Sequence, residues 1–426
     1  VKKALLVTLL ATLLSYSNAQ TITTVAGGNG PGNAADQLNT PQDVFVDASG
    51  NIYVADEVNS RIQKFPMNSD SSTTGVTVAG GNAAGTAADQ LNYPTSLYVD
   101  SAENIYIADR RNNRIQRFAA GSNSSSNAVT VAAIGINGSI GVFLDQGSIY
   151  VSDEGNNSIV KFSSGSDSAT AGLTVAGGNS RGNSPYQLNQ PNNMYLDSTG
   201  NIYVADYYNN RIQKFAAGSN SLTAGTTVAG GNGPGNAANQ LNGPVGVYLD
   251  KAGNIYVSDE INNRIQKFPP NSDSTTNGVT IVGDTIGGSG RYQLSYPNGI
   301  FVDNNGAIYI ADGGNNRIQK WSPATTGISD ISSSKPLSLY PNPNNGSFIL
   351  QSGGSIGSEY TVYDMIGRAV AQGTITSDKQ NIDLAASPLS LGEGSGVRSA
   401  GLRSISAGSY TLAVQGSKTL WFVIED

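Results

Sequence analysis

Short apolar runs alternate with polar turns along almost the whole chain, and the runs are strand-sized rather than helix-sized. In one stretch Val247-Tyr248-Leu249-Asp250 is followed by Ile255-Tyr256-Val257, then by Arg264 to Phe268, then by Val279-Thr280-Ile281-Val282. Within these runs apolar and polar positions tend to alternate, and Gly, Asn, Asp and Ser fill the gaps, which predicts four short β-strands. The first gap carries Asp-x-x-Gly-Asn, as in Asp47 to Asn51, Asp197 to Asn201 and Asp250 to Asn254. Glycine there supplies the positive φ of a tight hairpin loop and Asp bonds its own backbone, so the first two strands form a hairpin.

The pattern then repeats. The Ile of the Ile-Tyr pair falls at Ile52, Ile105, Ile149, Ile202, Ile255 and Ile308, in steps of 53, 44, 53, 53 and 53 residues. A second marker, Thr-Val-Ala-Gly-Gly or a relative, starts at Thr24, Thr77, Thr130, Thr174, Thr227 and Thr280. Both count six units. The short step is a nine-residue loss in the third unit, mostly from the Gln-Leu-Asn-x-Pro turn that the first unit carries at Gln37 to Pro41. One four-stranded sheet cannot bury both its faces, but six stacked around an axis can, which is a β-propeller. An open solenoid is the competing arrangement. The ends decide against it, because a Thr-Val strand precedes the first hairpin while the sixth unit stops at Trp321 without one. The strand around Thr21 to Ala26 is therefore expected to pair with Arg317 to Trp321 and close the ring. The loop Asn68 to Gly75 is expected to be a spacer that tolerates shortening.

The run Pro-x-x-Val-x-Val-Asp, Gly-Asn-Ile-Tyr-Val-Ala-Asp, Asn-x-Arg-Ile-Gln-Lys-Phe resembles the NHL repeat across about residues 20–325. That resemblance implies a six-bladed propeller. The third unit departs from it, with Ser158 where the others carry Arg61, Arg114, Arg211, Arg264 and Arg317, so blade three is expected to be the most irregular. Residues 326–335, rich in Ser and Thr, read as a linker. A second domain over 336–426 contains Leu339-Tyr340-Pro341-Asn342-Pro343, Tyr360 to Asp364, Gly367-Arg368, Ala407 to Leu412 and Leu420 to Ile424. Short strands without a helical period suggest a small β-sandwich of the Ig-like kind, so the expected class is all-β throughout. These motifs resemble the C-terminal sorting domain of the type IX (Por) secretion system of Bacteroidetes-type bacteria. The resemblance implies engagement with that machinery, passage across the outer membrane, removal of the domain, and release or surface attachment of the rest. Residues 386–404 form a Ser-, Gly- and Leu-rich insertion in the pattern.

Residues 1–19 carry Lys2 and Lys3, an apolar run from Ala4 to Leu14 and the close Ser17-Asn18-Ala19, which reads as a secretory signal peptide. The run is too short to span a bilayer, and no membrane span is expected elsewhere. Cysteine is absent, so burial and backbone pairing rather than disulfides must hold the fold. A formal net charge of −7 offers no basic surface to phosphate, which argues against nucleic acid. Histidine is absent too, removing the usual general base and the commonest zinc ligand. No cofactor is implied, and the reading is of a monomer.

A residue present in every blade cannot by itself define one site. The recurrent Asp and Arg, such as Asp56 with Arg61 and Asp206 with Arg211, therefore read as structural, pairing across a turn or capping a neighbouring blade, in the manner of surface ion pairs. What varies is the pair of residues after that Asp: Glu57-Val58, Arg110-Arg111, Glu154-Gly155, Tyr207-Tyr208, Glu260-Ile261 and Gly313-Gly314. Tyr207 and Tyr208 offer stacking and Arg110 and Arg111 anion binding to a ligand, with ordinary solvated loop variation as the alternative. Asp43 and Asn193, where the first strands begin, are the channel candidates. One Asp among neutral oxygens is thin for calcium, and no metal site or catalytic set is assigned. The functional reading is a protein- or glycan-binding scaffold module rather than an enzyme. The alternative is a calcium-dependent lactonase-like or lyase-like propeller enzyme.

Overall fold

The computed structural model describes residues 21–323, 338–340, 347–351, 359–364, 369–377, 379–383, 408–414 and 420–424; the expected signal peptide, linker and 386–404 insertion lie outside them. The chain divides into two compact units, Val1–Thr325 and Thr326–Asp426.

The first unit is a six-bladed propeller. Blade one is Pro41–Val46, Ile52–Asp56, Arg61–Phe65 and Val76–Gly80, in spatial order and all antiparallel. Blades two to five repeat that order, while in blade six the outermost strand is Thr21–Gly27, paired with Arg317–Ser322. The ring is thus closed by the strand that the repeat count leaves over. The innermost strands neighbour one another in a cycle, Pro297–Val302 returning to Pro41–Val46. Blade three is a regular four-stranded sheet despite its missing residues. Eight of the nine missing residues come out of the connection before Ser139 and the ninth out of the first hairpin turn, which is cut to Gln146-Gly147, so the expected irregularity is confined to those two loops and to the lost arginine.

Packing follows from strand alternation. Ile52 and Val54 face blade six, whereas Tyr53 and Ala55 on the same strand face blade two. Each of six hydrophobic clusters accordingly fills one blade-to-blade junction. A fully buried Phe anchors the third strand of the first five blades, at Phe65, Phe118, Phe162, Phe215 and Phe268, and Trp321 takes that place in blade six. On one side chain, a buried Phe contributes a few kcal/mol, about 3–5 by the cost of truncation to Ala. The first-turn Asp caps its own hairpin in every blade but the third. Asp47 Oδ1, for instance, accepts from the backbone N–H of Ser49 and Asn51 at 2.9 and 2.8 Å.

The second unit has two antiparallel sheets, as expected of a small β-sandwich. One joins Ser338–Tyr340, Ser347–Gln351 and Lys379–Asp383; the other joins Ala369–Thr374, Glu359–Asp364, Gly408–Val414 and Leu420–Ile424. Among the described residues no helix is long and apolar enough to cross a membrane.

Candidate functional site

The repeated polar residues are consumed in holding the blades together. Asp206 is fully buried; its Oδ1 accepts from the Asn189 N–H at 2.7 Å, and its Oδ2 accepts from Asn209 Nδ2 and Arg211 Nε at 2.8 Å each. Arg211 then donates to the carbonyls of Asn183, Ser184 and Gln187, in the loop that leads into its own blade. The same set recurs around Asp56, Asp109, Asp259 and Asp312. These are buried, carbonyl-bound pairs, which corrects the expectation of surface-type pairs that contribute little. The second Asn of each Asn-Asn-Arg reaches the next blade, where Asn210 Oδ1 accepts from the Gly243 N–H at 3.0 Å and Asn316 Oδ1 from the Thr40 N–H at 2.9 Å.

That bond pins the residue before the next inner strand in the left-handed region. Thr40, Gln190 and Tyr296 take it at φ of 55°, 52° and 49° with that bond. Tyr93 takes it at φ of 58° without the bond, since Ser60 stands where the Asn would be. All four are residues with a Cβ, for which the conformation is uncommon. Three of them, Thr40, Gln190 and Tyr296, open onto a funnel of about 680 Å³ over the propeller axis. Gln42, Asn192 and Asn298 supply amides to its wall, and all six blades contribute to its lining.

The funnel rim is the first of the two variable residues from blades two to six. Going round, these are Arg110, Glu154, Tyr207, Glu260 and Gly313, with Glu57 of blade one set behind Gln42 of the wall. Neighbours pair: Arg110 Nη2 meets Glu154 Oε2 at 2.7 Å, and the Tyr207 O–H donates to Glu260 Oε2 at 2.8 Å. Burial raises the Glu57 and Glu260 carboxyls above their usual range, partly offset by the Gln42 and Tyr207 donors respectively. Tyr207 stacks edge-on with Tyr208, centroids 4.9 Å apart. Tyr208 and Tyr296 are each 57% exposed.

The structure thus brings Tyr207, Tyr208 and Arg110 to one recess. Arg110 already holds Glu154, and Arg111 lies away from the funnel wall with its guanidinium 3.4 Å over the Tyr93 ring. Neither is a vacant anion-binding group. Asp43 and Asn193 sit one layer deeper, on the axis, with the Asn193 amide near enough to favour the ionised Asp43 carboxylate. Beneath them lies a feature the sequence reading passed over, a ring of Phe45, Tyr98, Phe143, Tyr195, Tyr248 and Phe301. Its signal was present, an aromatic two residues before the first-turn Asp in every blade. Among the described residues no group of three His, Cys, Asp or Glu is arranged to hold a metal.

Five segments match the NHL repeat family, residues 38–65, 91–118, 188–215, 241–268 and 294–321. Residues 338–393 match the secretion system C-terminal sorting domain family. The human protein named NHL repeat-containing protein 3 is 38% identical over 88 residues, 20% of this chain. The match spans about a quarter, 24%, of that curated relative's length. Among solved structures, an auxiliary nutrient binding protein from Bacteroides thetaiotaomicron superposes with a TM-score of 0.52 at 15% identity, over 72% of this chain and 78% of that one. A gluconolactonase from Xanthomonas campestris gives 0.51 at 14% identity, over 74% and 93%. At such identities the likeness is one of fold alone.

Proposed function

We propose that this chain, a six-bladed NHL-repeat propeller carrying a type IX secretion sorting domain, is an exported binding protein that takes a protein or glycan ligand in the axial funnel. The reading places the propeller outside the outer membrane, released or held at the surface once the sorting domain is removed.

One observation carries it. The position before each inner strand is left-handed, where glycine is unstrained and other residues cost about 1–3 kcal/mol, yet the funnel keeps Thr40, Gln190 and Tyr296 there. Gly138 and Gly243 at the equivalent positions show that the fold accepts glycine. Side chains retained against strain on a concave wall support a role for the wall itself. The chemistry of that wall is amides, carboxylates already bonded to neighbours, and exposed tyrosine rings, a set that suits hydroxyl-rich or amide-rich partners and repels anions. The nutrient-binding neighbour shares this fold, and the single carboxylate on the axis fits binding better than metal-assisted hydrolysis.

The test is a pair of substitutions, Tyr296→Gly with Tyr208→Ala. Thermal stability should stay level or rise, because the strain at Tyr296 is relieved, while capture on a glycan and surface-protein array falls about tenfold or more, as loss of two aromatic anchors predicts. Equal capture by both forms would place the site elsewhere.

A further inference from the structure

Below the funnel the six inner strands enclose a narrower chamber of about 270 Å³. Two layers of residues build it, two positions apart on every strand. The lower layer is the aromatic ring, and it is closed. Successive centroids from Phe45 through Tyr98, Phe143, Tyr195, Tyr248 and Phe301 lie 5.3, 5.2, 5.4, 4.7 and 5.2 Å apart, and Phe301 returns to Phe45 at 5.2 Å. A hexagon of that side puts each ring centroid about 5 Å from the axis, inside the ~6 Å over which a ring face turned to the axis holds a cation.

The upper layer is Asp43, Ser96, Gly141, Asn193, Gly246 and Gly299, and Asp43 is its one charged member. The residue is 5% exposed. Its Oδ1 accepts from the Val44 N–H at 3.0 Å, and its Oδ2 from the Ser96 O–H at 2.7 Å and the Leu97 N–H at 3.2 Å. These donors fix the carboxylate in place, but none brings a positive charge, and among the described residues no Lys or Arg forms an ion pair with it. Buried carboxylates are ordinarily paired, as the five Asp–Arg sets of this same propeller are. Glycine is needed at Gly299 because the Asp43 carboxylate packs against it, and a Cβ there would overlap Asp43 Oδ1.

We propose that the axial chamber is a site for a small organic cation, a protonated amine or quaternary ammonium group, held between the Asp43 carboxylate and the six-ring collar. The charge of the approach agrees with this. Glu154 and Arg110 cancel as an ion pair, which leaves Glu260 in the funnel lining and Glu57 beside Gln42 as the acidic groups that form no ion pair among the described residues. A divalent metal is served less well, because it needs several oxygen ligands around it while the collar offers only ring faces and edges. The inference is independent of what the funnel binds.

The experiment titrates the full chain with tetramethylammonium chloride, with uncharged tert-butanol of similar size, and with calcium chloride, at constant ionic strength. The readout is the aromatic NMR signals of the collar. Tetramethylammonium should bind saturably with a millimolar Kd, weakened about tenfold by Asp43→Asn and about threefold by Tyr248→Leu, with tert-butanol failing to saturate. Should Asp43→Asn not fold, the double variant Tyr248→Leu, Phe301→Leu carries the same comparison. Four results overturn the proposal: no saturable shift with tetramethylammonium, tert-butanol binding as tightly, indifference to every one of these substitutions, or calcium binding with the Asp43 dependence in place of the ammonium ion.

Discussion

Two buried carboxylates in one propeller are both raised by burial, and they differ in what faces them. Asp206 is matched by Arg211, whose other donors hold three loop carbonyls. Replacing Arg211 by Met leaves that carboxylate buried without a counter-charge and the carbonyls without donors, and should cost about 3–5 kcal/mol in a urea melt. The reverse change in blade three, Ser158→Arg, should gain nothing, since the loop that would receive the guanidinium is the one shortened there. A gain comparable with the Arg211 loss would show that the arginine acts through Asp alone. Asp43 has no such partner, and burial pushes its carboxyl from 3.8 up to about 6. The folded chain therefore holds that proton more tightly than the unfolded chain does. The contribution is complete below about pH 4 and is lost as pH rises through about 6, a span worth about 3 kcal/mol. The stability of Asp43→Asn relative to the parent should accordingly improve by about that amount between pH 4 and pH 7.5. A difference independent of pH would mean that Asp43 titrates as in the unfolded chain.

At the level of elements, the ring is closed by six residue pairs between Thr21–Gly27 and Arg317–Ser322. Removing residues 20–27 takes away about five backbone bonds at roughly 1 kcal/mol net each, before the packing of Ile22 against the blade-six cluster is counted. A loss of that size is comparable with the stability margin of a whole domain. This closure was legible by counting, because an unpaired strand at one end and a missing strand at the other admit one simple solution. The loop Asn68 to Gly75 was not legible in the same way. Read as a spacer, it proves to be a strut: the Ser69 O–H donates to the Val25 carbonyl at 2.6 Å, the Gly75 N–H to Ala35 at 2.7 Å, and Asn29 Nδ2 to Ser71 at 2.6 Å. Ser and Gly are the ordinary residues of any loop, so their types gave no hint; their recurrence at Ser122, Ser166, Ser219 and Ser272 was the available signal. Deleting residues 68–75 should therefore cost about 2–4 kcal/mol rather than a fraction of one, yet still less than deleting the closing strand. Denaturant melts of the two deletions rank them, and an N-terminal deletion as stable as the loop deletion would contradict closure by that strand.

For the molecule as a whole, the repeat made the architecture legible and hid the depth of the site. Unequal residues in otherwise equal loops do converge, since Tyr207, Tyr208 and Arg110 share the funnel. What the pattern could not convey was that Arg111 turns away onto Tyr93, or that Asp43 and Asn193 meet across the axis below the rim, because both depend on where six separate strands converge. The two units raise a different question, whether the propeller needs its tail to fold. Each of its six cores is formed between blades, from residues 22–321. A chain ending at Pro323 therefore keeps every blade junction, and should unfold in the same cooperative transition as the propeller of the full chain. The sorting domain matched at 338–393 is what such a chain would lack. In a host with the type IX system the truncated form should accumulate, folded and soluble, on the periplasmic side of the outer membrane, while the full chain reaches the surface or the medium. Cell fractionation with an antibody to the propeller distinguishes the two, and efficient surface display of the truncated chain would show that export does not run through the C-terminal domain.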